Sequence, residues 1–154
     1  MSDDPLRDDQ MRLLQSLCDQ LVPPSADGRL PSAGAFDLRA HVAGTMRRMP
    51  MLRPVVEYGL STLADLATQR DPGGWDALSA VERADLFHGF AAGDQFFMPA
   101  LLMLVYSGYY QQARVVEALG LEARAPHPRG YAMEADDLSL LDPVRTRGKR
   151  YRDC

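Results

Sequence analysis

The sequence predicts an all-α fold, a single compact bundle of about five or six helices with an irregular C-terminal tail. Three observations predict it. Apolar residues recur at helical spacing in successive segments. Prolines and glycines punctuate those segments where a helix would have to stop. From Leu121 onward the chain shows neither a sustained helical nor a strand period. The boundaries expected are a helical domain over 1–120 and an extended arm over 121–154, packing on that domain or on a partner.

The first helix is expected over 8–22, where Met11, Leu14, Cys18 and Leu21 repeat at helical spacing and Leu13 and Leu17 widen the stripe. Pro23-Pro24 stops it, since proline lacks the amide donor and clashes with the preceding turn. The loop PPSADGRLPSAG follows. A second helix is expected over 36–49, with Phe36, Leu38, Val42 and Met46 inward. Pro50 and Pro54 bracket a break before a third helix over 53–69, whose stripe comprises Leu52, Val55, Val56, Leu60, Leu63, Ala64 and Ala67. DPGG at 71–74 is a turn signal.

Ser79-Ala80-Val81-Glu82 fits a capping box and opens the fourth helix. Leu86, Phe90 and Phe87 are its inward candidates, and Gly93 favours a break. The fifth helix covers most of 95–110, with Pro99 either in its first turn or at a kink. A short sixth helix over 112–119 ends at Gly120, a plausible C′ residue.

The chain has 154 residues, which suits one domain, and a core of that size needs no disulfide or metal to hold it. Net charge is −4 and the isoelectric point near 5.3, which argues against a general nucleic-acid binder. The N-terminus, MSDDPLRDDQ, has no basic region followed by an apolar one, so no secretory signal is read there. The longest uncharged apolar run, Phe96 to Tyr110, is 15 residues. As a helix it spans roughly 22 Å against a hydrocarbon core of ~30 Å, so it reads as a core helix and no membrane span is expected.

No catalytic constellation emerges. His41, His88 and His127 are far apart in sequence, and His88 reads as a partly buried packing residue. Cys18 and Cys154 lie near opposite ends with no metal-ligand spacing. Cys18 sits on an apolar stripe and reads as a small core residue. Asp136-Asp137 reads as solvated surface. The phosphate-cradling and nucleophile-elbow motifs are missing. No catalytic, metal or cofactor-binding residue is therefore assigned.

Two features suit binding instead. Tyr106, Tyr109 and Tyr110 close the fifth helix, either as an aromatic cap on the core or as an interface platform. The tail places Arg, Gly and Tyr together in Arg129-Gly130-Tyr131 and again in Arg147 to Arg152. It holds seven Arg or Lys against six Asp or Glu, with Leu138, Leu140, Leu141 and Val144 among them. A purely solvating tail would carry fewer large apolar groups. The interface expected on these grounds comprises Tyr109, Tyr110, Arg129, Tyr131, Arg147, Tyr151 and Arg152.

The run LLQSLCDQLVPPSADGRLPSAGAFDLRAHV, the later LVYSGYYQQARVVEALG followed by PHPRGY, and the closing LLDPVRTRGKRYRDC together resemble the gluconate 2-dehydrogenase subunit 3 family. The resemblance runs from about residue 10 to 152 and rests on the order of structural motifs. It implies a small helical accessory subunit that supports folding or stability of an FAD-dependent, glucose-methanol-choline-type dehydrogenase. FAD and the oxidation belong to the large partner subunit. Many members of the family also supply a twin-arginine export signal, and this chain departs from them there. The complex is expected in the cytoplasm, or in the periplasm if the partner carries the signal. Two rival readings remain: a stand-alone helical interaction module or homodimer, and an enzyme in its own right.

Overall fold

A computed structural model describes residues 6–125, 127, 129–130 and 132–148. Among them are seven α-helices and no strand. The chain divides into two units, Met1–Ala123 and Arg124–Cys154.

The first unit holds α1 (Asp8–Leu21), α2 (Arg39–Arg48), α3 (Leu52–Arg70), α4 (Ala80–Gly93), α5 (Phe97–Tyr109) and α6 (Ala113–Ala118). Short 3-10 turns lie at Ala33–Ala35 and Gly74–Ala77. α3 packs against α1, α4 and α5, and α2 packs against α5. The core between them is built from Leu14 and Leu17 of α1, Val42 of α2, Val56, Leu60 and Leu63 of α3, Phe87 of α4, and Phe97, Leu101 and Leu104 of α5.

Local chemistry sets the helix ends. α1 begins where the Arg7 amide donates to Gln10 Oε1 at 3.1 Å, with Asp8 and Asp9 in the first turn, where the helix dipole favours acids. It stops at Leu21, ahead of Pro23-Pro24. The capping box at α4 forms in both directions. The Glu82 amide donates to Ser79 Oγ at 3.3 Å, and the Ser79 amide to Glu82 Oε2 at 2.9 Å. α6 closes in a Schellman arrangement, with the Gly120 amide on Glu117 O and the Leu121 amide on Val116 O. Gly120 takes φ +81° there, as a C′ residue should.

Several expected boundaries move. α2 starts at Arg39 because the Asp37 carboxylate accepts the Arg39 amide at 2.9 Å and turns the chain there. Phe36 therefore lies outside the helix, its ring edge-on to Tyr109 with centroids 5.9 Å apart. α5 starts at Phe97 because Asp94 Oδ1 accepts the amides of Phe96 and Phe97 at 2.8 and 2.7 Å. Pro99 falls in the first turn of α5, where its missing amide costs no helical bond. On α4 it is Phe87 that is fully buried, with Leu86 and Phe90 at the edge of the core. His88 is exposed, not partly buried, because it follows Phe87 onto the outer side of α4.

Two glycines let helices approach closely. A Cβ built on Gly59 of α3 would lie 2.0 Å from the ring of Phe97, and one on Gly108 of α5 would lie 2.9 Å from the ring of His41. α2 and α5 are further tied by His41 Nε2 and Ser107 Oγ at 2.9 Å.

The second unit has no buried residue among those described. It contains a 3-10 turn, Leu138–Leu141, running directly into the single-turn helix α7, Asp142–Arg145. The sequence pattern does not predict this turn, because one turn is too short to show a period.

Gly59→Ala tests the close approach. Alanine favours a helix by roughly 1 kcal/mol over glycine, yet the methyl would collide with a ring that has nowhere to go. The expected outcome is a net loss of about 1–3 kcal/mol, read as a lower midpoint in thermal unfolding followed by circular dichroism. An unchanged or raised midpoint would show that the contact is not rigid.

Candidate docking surface

α5 carries no charged residue from Phe96 to Tyr110. Its inward side buries Phe97, Ala100, Leu101, Leu104 and Val105. The outward side is apolar too. Phe96, Pro99, Met103, Tyr106 and Tyr110 recur at a spacing of 3.5 residues, which keeps them along one seam. Phe96 is 68% exposed, Tyr106 41% and Tyr110 51%; Pro99 is exposed and Met103 half-buried. A helix apolar on all sides ordinarily lies inside its protein, but α5 leaves this seam open.

A second helix extends the surface. Met51, Val55 and Tyr58 follow one face of α3, with Met51 75% and Tyr58 64% exposed. Between the helices lies a hollow of about 270 Å³, lined by Pro54, Val55, Tyr58, Asp94 and Phe96. Phe96 belongs both to this hollow and to the seam on α5.

The tyrosine cluster separates into core and surface. Tyr109 is 1% exposed and its hydroxyl donates to Pro31 O at 2.8 Å. Burial, then the neighbouring Tyr110, raises its phenol above the usual tyrosine range. Tyr109 was expected at the interface, but its side chain faces the interior and presents no surface. Its ring supports Tyr110 edge-on at 5.1 Å, and Tyr110 meets Tyr106 at 6.0 Å. The core-cap and platform readings are thus divided among neighbours.

Arg129 and Arg147 are exposed in the second unit. Tyr131, Tyr151 and Arg152 lie outside the described residues. Met51, Tyr58 and Phe96 were missed by sequence reasoning. Their signal was present as a second apolar face on helices whose first face already fills the core.

Ser107 Oγ donates to Met103 O, so His41 Nε2 must be the donor toward Ser107, the opposite of a base taking a serine proton. Burial, then the nearby Arg48, holds His41 below the usual histidine range, which favours that neutral donor form. The Cys18 thiol is buried and free, and burial pushes it up to about 12, as suits a core residue. Among the described residues no group of three His, Cys, Asp or Glu is placed to hold a metal ion. No single helix among them is long and apolar enough to cross a membrane; α4 and α5 together would suffice, but they are bent by 119° at Asp94.

Comparison with known protein families, with curated proteins and with solved structures finds no match.

Two substitutions separate core from surface. Tyr109→Phe leaves the Pro31 carbonyl without its donor and is expected to cost about 1 kcal/mol in thermal or denaturant unfolding. Tyr110→Ala, on the open seam, is expected to stay within about 0.5 kcal/mol of wild type. A reversed ranking would contradict the assignment of the two rings.

Proposed function

We propose that this chain is a small, non-catalytic subunit that binds and stabilises or matures a larger FAD-dependent dehydrogenase of the glucose-methanol-choline type. The observation that carries the binding half of this reading is the seam on α5. An uncharged row of Phe96, Pro99, Met103, Tyr106 and Tyr110 stands in water beside the hollow at Tyr58. Contiguous exposed apolar area of this kind marks interaction sites, and tyrosine is among the residues enriched where partners bind most strongly. The identity of the partner is supported by the ordered resemblance to the gluconate 2-dehydrogenase subunit 3 family. In this reading FAD and the oxidation of a sugar or alcohol belong to the large subunit, and the complex resides wherever that subunit is directed.

A second reading, self-association through α5, is favoured by the seam's lack of charge, since two copies could meet there without repulsion. The two readings part in one experiment. If the first reading holds, a glucose-methanol-choline-type flavoprotein is encoded beside this chain, and it is expressed with and without it. The proposal expects the flavoprotein alone to be insoluble or inactive and the co-expressed pair to be active and to purify together. Equal yield of active flavoprotein without this chain, with the chain itself a symmetric dimer, would favour the second reading and sink the first.

A further inference from the structure

Between the first half of α1, the middle of α3 and the turn Gly74–Ala77 lies a hollow of about 160 Å³. It shares no residue with the hollow at Tyr58. Its floor is apolar, formed by Leu13 of α1, Leu60 and Ala64 of α3, and Trp75 of the turn. Gln10 and Ser61 add polar groups to the lining, and the exposed Arg7, Asp9, Arg12 and Asp76 form the rim.

The walls are pre-organised. Gln10 is 3% exposed and ties α1 to α3. Its Oε1 accepts the Arg7 amide at 3.1 Å, and its Nε2 donates to Ser61 Oγ at 3.2 Å. The Trp75 indole donates to Ser16 Oγ at 2.9 Å. Arg83 of α4 pins the same turn, donating from Nε to Trp75 O at 2.9 Å and from Nη2 to Asp76 O at 2.8 Å. Walls held in this way lower the ordering cost of binding.

The rim charges sort into one closed pair and two open groups. Arg7 and Asp9 pair at 3.2 Å. Among the described residues, neither the Arg12 guanidinium nor the Asp76 carboxylate has a hydrogen bond or ion pair. Ser61 Oγ accepts from Gln10 and keeps its own proton to donate. An apolar hollow of roughly 150 Å³ takes a body the size of benzene.

We propose that this hollow binds a free α-amino acid with a large apolar side chain, of the size of leucine or phenylalanine. The side chain lies over Leu60 and Trp75. The carboxylate meets the Arg12 guanidinium and the Ser61 hydroxyl, and the ammonium meets the Asp76 carboxylate. A simple apolar acid would leave Asp76 facing a second carboxylate, and a simple apolar amine would leave Arg12 facing a second cation. The rim therefore selects the molecule that carries both charges. The site goes beyond the reading of the chain as a partner-binding subunit and does not depend on it.

Trp75 is the chain's only tryptophan, so its fluorescence reads the hollow directly. The full chain is titrated with L-phenylalanine and with L-leucine, with calorimetry as a second readout. A saturable change is expected, with a dissociation constant of about 1 mM or tighter, as a ligand of this size allows. Glycine, which has no apolar body, should give none. N-acetyl-L-phenylalanine lacks the ammonium and L-phenylalaninamide lacks the carboxylate; each should bind about tenfold or more weakly than the parent. They also stand for a peptide's C-terminus and N-terminus. Arg12→Gln should weaken L-phenylalanine about tenfold and remove its advantage over the amide. Asp76→Asn should remove its advantage over the acetyl derivative. Both positions are exposed, so helical circular dichroism of both variants should match wild type.

No saturable response to either amino acid at about 10 mM overturns the proposal. Binding of the amide or the acetyl derivative as tightly as the parent also overturns it, and gives the hollow to a peptide terminus instead. Undiminished binding by either variant does the same to the assigned contacts. None of these outcomes bears on co-purification with a flavoprotein, so the subunit reading stands or falls separately.

Discussion

The contact on which the first unit depends is the ring of Phe97 lying against the backbone of α3 at Gly59. No side chain larger than hydrogen fits there, because a Cβ would enter the ring. The contact fixes α5 against α3, and α3 in turn touches α1 and α4. It also fixes the rotation of α5 about its axis. With Phe97, Leu101 and Leu104 inward, the helical repeat leaves Phe96, Pro99, Met103, Tyr106 and Tyr110 outward. The open seam is thus a consequence of the same contact that builds the core. Asp94 cooperates by capping the first amides of α5 and turning the chain sharply out of α4.

An exposed seam of this kind has an energetic meaning. Burying a large apolar side chain is worth about 1.5–3 kcal/mol relative to leaving it in water. Several such groups in one row hold in reserve a driving force that the isolated chain does not use. The tail carries a second, smaller reserve in Leu138, Leu140, Leu141 and Val144. Among the described residues, the Ser107–His41 pair has the serine proton on the Met103 carbonyl, and the buried Cys18 thiol is too basic to ionise near neutrality.

The all-α fold was legible in the sequence because α1, α3 and α5 bury stripes long enough to show their period, and because prolines and a capping box mark helix ends. Helix starts were less legible where a carboxylate two or three residues ahead sets them. Asp37 and Asp94 look like ordinary loop acids until their hydrogen bonds are seen. The candidate surface was half legible. Tyr106, Tyr109 and Tyr110 were singled out together and Tyr109 and Tyr110 assigned to the interface, but Tyr109 differs from its neighbours by the phase of the helix, which places its hydroxyl on Pro31. Met51, Tyr58 and Phe96 escaped notice because an apolar residue on a core helix reads as core. Only the three-dimensional packing shows that α3 and α5 each present a second, exposed apolar face within the first unit.

The central claim is that the outward faces of α3 and α5 are covered by a partner. Hydroxyl-radical footprinting with mass spectrometry, on the chain alone and mixed with a flavoprotein of the proposed partner class, addresses it most directly. The account predicts that Tyr58, Phe96, Tyr106 and Tyr110 are reactive in the free chain and protected in the complex, with Cys18 and Tyr109 protected in both. Equal reactivity of the four aromatic residues in the two samples would contradict it.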